Sequence, residues 1–205
     1  MPVIEFPATS SPLTLFAVGY LVCLATPGPN FIMIASIALL RGWRSCLPVC
    51  IGVTAGSICL AILVYGVVDL LPDAAVVDRA ARAVSGVLFL YIAWRTLRSR
   101  HVFALSAPTR SDFHLGFSTA FLNPTTGTFF IGHFLAYKSA ATLDYAAVAV
   151  LLVLAISIVR SGLIAAAFGV WRVKTMGEHA ARAVTWLAGG LMAGFGGMAL
   201  ASLVH

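Results

Sequence analysis

Polar side chains flank a proline near the centre of two apolar segments of this chain. The first pattern reads TPGPN and the second NPTT, and their prolines, Pro27 and Pro124, are 97 positions apart. Proline removes a helical hydrogen bond and clashes with the preceding turn, so both patterns predict a helix that breaks and restarts. A restarted helix presents unpaired N–H groups and a partial positive charge, which suit an anionic group such as a carboxylate. Our candidates for binding a small molecule or gating its passage are Thr26, Pro27, Gly28, Pro29, Asn30, Asn123, Pro124, Thr125 and Thr126.

Both patterns also have a purely structural interpretation. Neighbouring helices can satisfy the carbonyl groups that a proline kink frees. Thr hydroxyls often bond back to the carbonyl one turn earlier, which would account for Thr125 and Thr126 without any ligand. The sequence leaves both interpretations open.

Arg160 is an ionisable residue near the centre of another apolar segment, between Ser157 and Ser161. Such a residue at mid-bilayer costs at least about 2.5 kcal/mol on insertion scales, so we expect it to face a polar cavity or a partner. Its guanidinium suits a carboxylate of a bound molecule, and backbone carbonyls or water would serve equally in a structural role. No Asp or Glu lies deep in any apolar segment. We therefore expect neither a metal site nor a cofactor, and no acidic proton carrier is evident.

The composition is that of an integral membrane protein. Hydrophobic residues make up 60% of the 205 positions and charged residues 10%, with a mean hydropathy of +0.99, whereas soluble domains carry about 25% charged residues. A membrane-spanning helix needs roughly 20 apolar residues. We predict an all-α fold in the lipid bilayer, with six transmembrane helices at approximately 13–40, 46–71, 74–97, 113–137, 145–171 and 183–204.

The basic residues lie in short clusters beside the apolar segments. Clusters at span ends set the orientation of a membrane protein, so the net charge of +6 does not indicate a nucleic acid partner. With the amino terminus outside, nine Lys and Arg residues fall on the cytoplasmic side and three on the other. We predict that both termini are outside. Asp78, Arg79 and Arg82, in the first turns of the third span, are expected at the membrane interface.

Two signals indicate an internal repeat. Gly19 and Pro27 recur as Gly116 and Pro124, and the segment 78–85 (DRAARAVS) is matched by 178–185 (EHAARAVT). We interpret 1–205 as a single membrane domain of two homologous halves, 1–100 and 101–205. Because each half has an odd number of spans, the second half must be inverted relative to the first. This predicts broken first and fourth helices that meet near a two-fold axis in the membrane plane, with a site able to face either side in turn.

Five stretches of the sequence resemble the LysE/RhtB family of bacterial amino-acid exporters. The resemblance rests on residues 26–30 (TPGPN), 41–44 (RGWR), 52–56 (GVTAG), 86–95 (GVLFLYIAWR) and 116–124 (GFSTAFLNP). It implies six helices in the bacterial inner membrane, homodimers, and export of amino acids or related small molecules driven by the proton gradient. Thr125 stands where similar members often carry a basic residue, and no histidine lies around Ile58 and Cys59, where one is often found. These departures concern the substrate and not the fold.

Two other functions compete with export. A membrane thiol-disulfide electron carrier would need a cysteine pair drawn from both halves, but Cys23, Cys46, Cys50 and Cys59 all lie in the first half and Ala120 stands at the repeat position of Cys23. A scaffold or accessory subunit would need no polar groups at mid-membrane. We therefore expect a secondary active exporter with a small polar substrate and no enzymatic activity.

Overall fold

A computed structural model describes residues 11–25, 28–70, 74–98, 110–137, 142–170 and 178–203. Thr26 and Pro27 lie outside these residues. Within the described ranges the chain forms helices and no strand, which confirms the predicted all-α class. The helices are α1 (Pro12–Ala25), α2 (Pro29–Arg41), α3 (Leu47–Val67), α4 (Ala74–Arg98), α5 (Arg110–Phe121), α6 (Pro124–Ala136), α7 (Leu143–Val170) and α8 (Glu178–Ala201).

Three stretches of helix among the described residues are long and apolar enough to cross a membrane: Trp43–Val67, Leu143–Val170 and Arg182–Ala201. The first includes the short 3₁₀ turn Trp43–Cys46 that leads into α3. The pair α1 and α2, bent by 58°, would make a fourth span. The described residues thus contain three candidate membrane spans, or four if the bent pair is one span, and the number of six stays a prediction.

Proline starts both helices that follow a break. Pro29 opens α2 and Pro124 opens α6, a position where the missing N–H has no intrahelical partner to lose. At its other end α2 stops at Arg41 because Gly42 adopts φ 90°, and the Gly42 N–H donates to the carbonyl of Ala38. Glycine takes this conformation without the steric penalty of a side chain.

Glycine lets α3 and α5 pack backbone to backbone. A Cβ atom on Gly52 or Gly56 would collide with the carbonyl oxygen of Phe113 or Phe117, and one on Gly116 with that of Val49. Gly52 therefore packs against the start of α5 and Gly56 packs against a later turn of α5, so α3 and α5 run parallel. The pair Gly52 and Gly56, which has the spacing of a helix-packing motif, serves a contact within the chain.

The helix bundle has two ends, end A and end B. End A is where α2 ends and α5 begins, and end B is the opposite end, where α4 begins and α8 ends. The helices α4 and α8 are antiparallel, since Gly86 lies against Leu200 and Gly189 against Leu97. The end of α7 lies at end A, because Gly169 packs on Trp43 just beyond α2.

The main contacts between helices come in matched sets. If α1–α4 correspond in order to α5–α8, each of these contacts has a counterpart. The contact of α3 with α5 corresponds to that of α7 with α1, the contact of α2 with α7 to that of α6 with α3, and the contact of α2 with α8 to that of α6 with α4. The contacts of α3 with α7 and of α4 with α8 join helices in the same place in each half. Two related halves would produce this pattern. The division at residue 100, the inversion and the two-fold axis stay predictions.

Candidate functional site

A cavity of about 550 Å³ lies between the two breaks, with α4 and α8 forming its other walls. Gly28 and Pro29 come from the first break, and Asn123, Pro124 and Thr125 from the second. Five of the ten candidate residues thus line a single space. From the breaks the lining continues toward end B, where it reaches Arg82 of α4 and Ser202 just after α8.

The first break leaves hydrogen-bonding groups without an evident use. Gly28 precedes α2, and no side chain caps the amino end of this helix. Asn30, in the first turn, is 4% exposed, and the described residues offer no hydrogen-bond partner for its Oδ1 atom. Most buried polar side-chain atoms have a partner. Asn30 itself is not among the residues that line the cavity, so of the described residues of the first break only Gly28 and Pro29 reach the cavity.

The second break has its own cap. Asn123 Oδ1 accepts a hydrogen bond from the Thr125 backbone N–H at 3.1 Å, which satisfies one of the free N–H groups at the start of α6. The amide nitrogen of Asn123 is left as a donor. Thr125 is exposed, whereas Thr126 is buried. Thr125 therefore lines the cavity, whereas Thr126 does not.

Arg160 is not part of the cavity lining. Its half-buried side chain lies close to Tyr20 and Cys23 of α1. Tyr20 shares a buried hydrogen bond of 2.9 Å with Ser157 on the same helix as Arg160. The thiol of Cys23 in turn points at the carbonyl oxygen of Thr125, 3.8 Å away. The structure therefore places Arg160 in a separate polar group, linked through Cys23 to the second break.

Arg82 is the site residue that sequence analysis missed. We expected it at the membrane interface, which stays a prediction. In the structure it is half-buried in the cavity wall, and no other charged residue contributes to the lining among the residues described. A signal was present in the sequence, because Arg82 lies in the one segment of the third span that recurs in the second half, as Arg182. Only the fold shows that it meets the breaks.

The two ends of the bundle are held together differently. At end A the guanidinium of Arg41 and the carboxylate of Asp112 form an ion pair that joins α2 to α5. Near end B, α1 meets α6 through stacked and tilted rings, and His133 hydrogen-bonds Tyr145 of α7. This aromatic cluster comprises Phe16, Tyr20, Phe129, Phe130, His133 and Phe134.

The cysteines and possible metal ligands form no reactive centre among the described residues. All four cysteines are free thiols. No group of three or more His, Cys, Asp or Glu side chains is arranged to hold a metal ion in the part of the chain that the structure describes. The chemistry of the cavity is thus that of hydrogen bonds, one guanidinium and apolar contact.

Comparison with known proteins identifies the family. A family model described as LysE type translocator matches residues 21–202, nearly the whole chain and both breaks. Comparisons with curated proteins and with solved structures find no match. The match confirms the resemblance seen in the TPGPN and NP motifs. The chain belongs to the LysE type translocator family, a family of membrane transporters with small-molecule substrates.

Proposed function

We propose that this protein is a secondary active transporter that exports amino acids or related small polar metabolites from the cytoplasm, by proton antiport with alternating access. The observation that carries the proposal is that both breaks line one cavity. Broken helices at corresponding positions of a repeat typically supply the substrate site of secondary transporters. A cavity of about 550 Å³ falls in the usual range for small-molecule sites. A scaffold would have no need of such a space.

The substrate site of the proposal consists of the two breaks. The uncapped turn of α2 supplies N–H groups and Asn123 supplies an amide donor. Asn30, which is buried and outside the cavity lining, would add an amide oxygen that has no partner among the described residues. Thr125 adds a hydroxyl in the same lining. Thr26 and Pro27 complete the first break in the sequence. Donors and acceptors of both kinds suit a zwitterion, which carries an anionic and a cationic group on adjacent atoms.

Alternating access is supported by the difference between the two ends. The cavity extends toward end B, whereas the buried ion pair of Arg41 and Asp112 holds α2 against α5 at end A. The contact of α1 with α6 corresponds in the repeat to the contact of α5 with α2. In the proposed cycle the end-A contact opens while the opening of the cavity toward end B closes. Arg160 and Thr126, beside Cys23, would be gating residues that respond to the second break.

The remaining parts of the proposal follow from the family and from the charge pattern. Export, proton coupling, a bacterial inner-membrane location and a homodimer are what the resemblance implies. The excess of basic residues at end A, where Arg41, Arg44, Arg98 and Arg182 lie, favours a cytoplasmic end A. In that orientation the cavity faces outward and both termini are outside.

Uptake of labelled amino acids into inside-out vesicles tests the proposal directly. Wild type should accumulate a substrate only with an imposed proton gradient, and Asn30→Ala and Asn123→Ala should both lose this uptake. Thr14→Ala, which removes an exposed hydroxyl at the start of α1, is the matched control and should transport normally. Full uptake by both Asn variants would refute the site, and uptake that ignores the gradient would refute the coupling.

A further inference from the structure

His133 is a buried titratable side chain on the helix that follows the second break. The residue is 9% exposed, and its Nε2 atom shares a hydrogen bond with the hydroxyl of Tyr145 on α7. We propose that His133 takes up the proton that drives transport, and that the charged ring releases α6 from α1 and α7 so that the empty transporter can return. The inference rests on the proposed function, because it names the coupling residue of the same cycle.

Rings from three helices surround His133. Phe16 of α1 meets the imidazole edge-on, with 5.1 Å between the ring centroids, and Tyr137, one turn later on α6, lies at 4.7 Å. The ring of Tyr145 is nearly parallel to the imidazole at 6.3 Å. His133 therefore joins α6 to both α1 and α7, so a change in its charge alters how firmly α6 is held.

The surroundings of His133 offer no evident counter-charge. The titratable and charged groups that the helices around it present are phenols and a guanidinium, from Tyr145 of α7, Tyr137 of α6, Tyr20 of α1, Tyr65 of α3 and Arg82 of α4. Asp144, which precedes Tyr145, is exposed. Among the described residues no carboxylate hydrogen-bonds or pairs with the imidazole.

Uptake of a proton changes what the imidazole can do in this place. A neutral imidazole has one N–H and one bare nitrogen, so it shares the hydrogen bond with Tyr145 either as donor or as acceptor. A proton from water forms a second N–H bond at the bare nitrogen, and the bond to Tyr145 then survives only as donation from Nε2 to the hydroxyl oxygen. Rings attract the resulting cation weakly, whereas its burial without water or a carboxylate is costly. The charged ring therefore favours a position that water reaches, which requires α6 to move from α1 and α7.

The proton site is connected to the cavity through Phe129, one turn before His133 on α6. The ring of Phe129 lines the cavity, and its centroid lies 5.9 Å from that of His133. Both residues follow Pro124, where α6 begins. A turn of α6 about the second break would therefore move the proton site and one wall of the cavity together. An element shared in this way couples two ligands, because each ligand changes the affinity of the other by the same factor.

The place of His133 along α6 fits a proton that enters from end B. The aromatic cluster that contains His133 lies near end B, and the cavity extends in the same direction. In the proposed orientation end B is outside, so the empty cavity in this state would meet the external proton. Histidine is also the side chain whose charge ordinarily changes between about pH 5 and 8.

Vesicle assays separate coupling from transport. Inside-out vesicles are given each of the common labelled amino acids, and the one that wild type accumulates most is the probe. His133→Gln keeps an amide for the bond with Tyr145 but takes up no proton, so its gradient-driven accumulation should fall by about tenfold or more. Exchange of labelled for unlabelled probe without a gradient uses only the loaded protein and should stay close to wild type. His114→Gln, which removes an exposed histidine of α5, is the matched control and should match wild type in both assays.

Hydrogen–deuterium exchange in lipid nanodiscs tests the switch without any substrate. After correction for the intrinsic effect of pH, the backbone amides of α1 and α6 should exchange faster in wild type at about pH 5 than at about pH 8. The amides of α3 and α5 serve as the internal reference and should not respond. His133→Gln should abolish the response of α1 and α6. His133→Phe, which keeps a ring in the aromatic cluster, answers the same question if His133→Gln does not fold.

The outcomes distinguish the inference from the proposed function. Gradient-driven accumulation by His133→Gln at the level of wild type would overturn the inference and leave the proposed function standing. The same pH response of α1 and α6 in wild type and both His133 variants, or no response in wild type, would also overturn it. If wild type accumulates no amino acid at all, the proposed function fails, and hydrogen exchange still decides whether His133 controls the hold on α6.

Discussion

Arg41 and Asp112 form a buried ion pair between the last residue of α2 and the first turn of α5. Arg41 Nη1 and Asp112 Oδ2 are 2.9 Å apart, and the two side chains are 6% and 8% exposed. The residues are 71 positions apart in the sequence and belong to different halves. The pair therefore joins the end of one broken helix to the beginning of the other.

Removing one partner of this pair should destabilise the protein strongly. Asp112→Asn leaves the Arg41 guanidinium buried without its carboxylate, and a loss of about 3 kcal/mol or more in the free energy of unfolding is expected. Asp144→Asn is the matched control, because Asp144 also lies in the first turn of a helix but is exposed, and it should change stability little. Denaturant titration in detergent micelles measures both. Equal stability of the two variants would show that the pair holds nothing together.

A methyl group at the contact of α3 with α5 should force these helices apart. Gly56→Ala places a Cβ against the backbone carbonyl of Phe117, which cannot rotate away, so a loss of about 1–3 kcal/mol is expected. Gly66→Ala lies on the same helix with open space around it. There alanine should be neutral or add up to about 1 kcal/mol through its helix propensity. The midpoints of thermal unfolding compare the two, and a Gly56→Ala midpoint at or above that of Gly66→Ala would contradict the packing described.

Asn123 has two separable roles, in capping and in the cavity. Asn123→Ala removes the acceptor of the Thr125 N–H and should lower the free energy of unfolding by about 1 kcal/mol. Asn123→Asp keeps an acceptor for the cap but loses the amide donor. It should therefore unfold like wild type while its vesicle uptake is lost. Normal uptake by Asn123→Asp would mean that only the cap matters.

Arg160 should affect the rate of transport and not the binding of substrate. Its side chain is not among the residues that line the cavity, so Arg160→Gln should bind a transported amino acid in lipid nanodiscs as wild type does. Vesicle uptake should fall, because the polar group around Cys23, whose thiol contacts Thr125 at the second break, has lost the charge of Arg160. Arg44→Gln, which removes an exposed cation beside Trp43, is the control and should alter neither. Clearly weakened substrate binding by Arg160→Gln would instead place Arg160 in the binding site.

Local chemistry made the breaks predictable from sequence. Pro29 and Pro124 act through their own missing N–H and rigid ring, so the helix starts could be placed to the residue. The predicted spans likewise end within a few residues of the observed helices, since apolar runs and charged ends are local signals. Whether each predicted span crosses the bilayer is harder to judge from local signals. Neither α4 nor the pair α5–α6 is among the helices that reach the length and hydropathy of a candidate span.

The surroundings of Arg82 and Arg160 could not be predicted from local signals. Both were judged by their depth in an apolar run, so we expected Arg82 at the membrane interface and Arg160 facing a polar cavity or a partner, and both expectations stay predictions. Which wall of the bundle a side chain faces depends on how α4 and α7 pack on other helices, and the sequence does not state this. The partnership of Arg41 with Asp112 was missed for the same reason, because neither residue has a local signal for the other.

The backbone contact of α3 with α5 has a mechanical consequence. At Gly52, Gly56 and Gly116 the helix backbones are in direct contact, so no side chain can rotate to relieve a clash there. Close-packed contacts of this kind resist sliding of one helix along the other. A rigid-body tilt of one sequence half against the other would have to break the contact between α3 and α5. Turning α6 about Asn123 and Pro124 leaves it whole. The α3–α5 pair thus joins the two halves of the sequence, and in the proposed transport cycle the second break would be the hinge about which α6 turns.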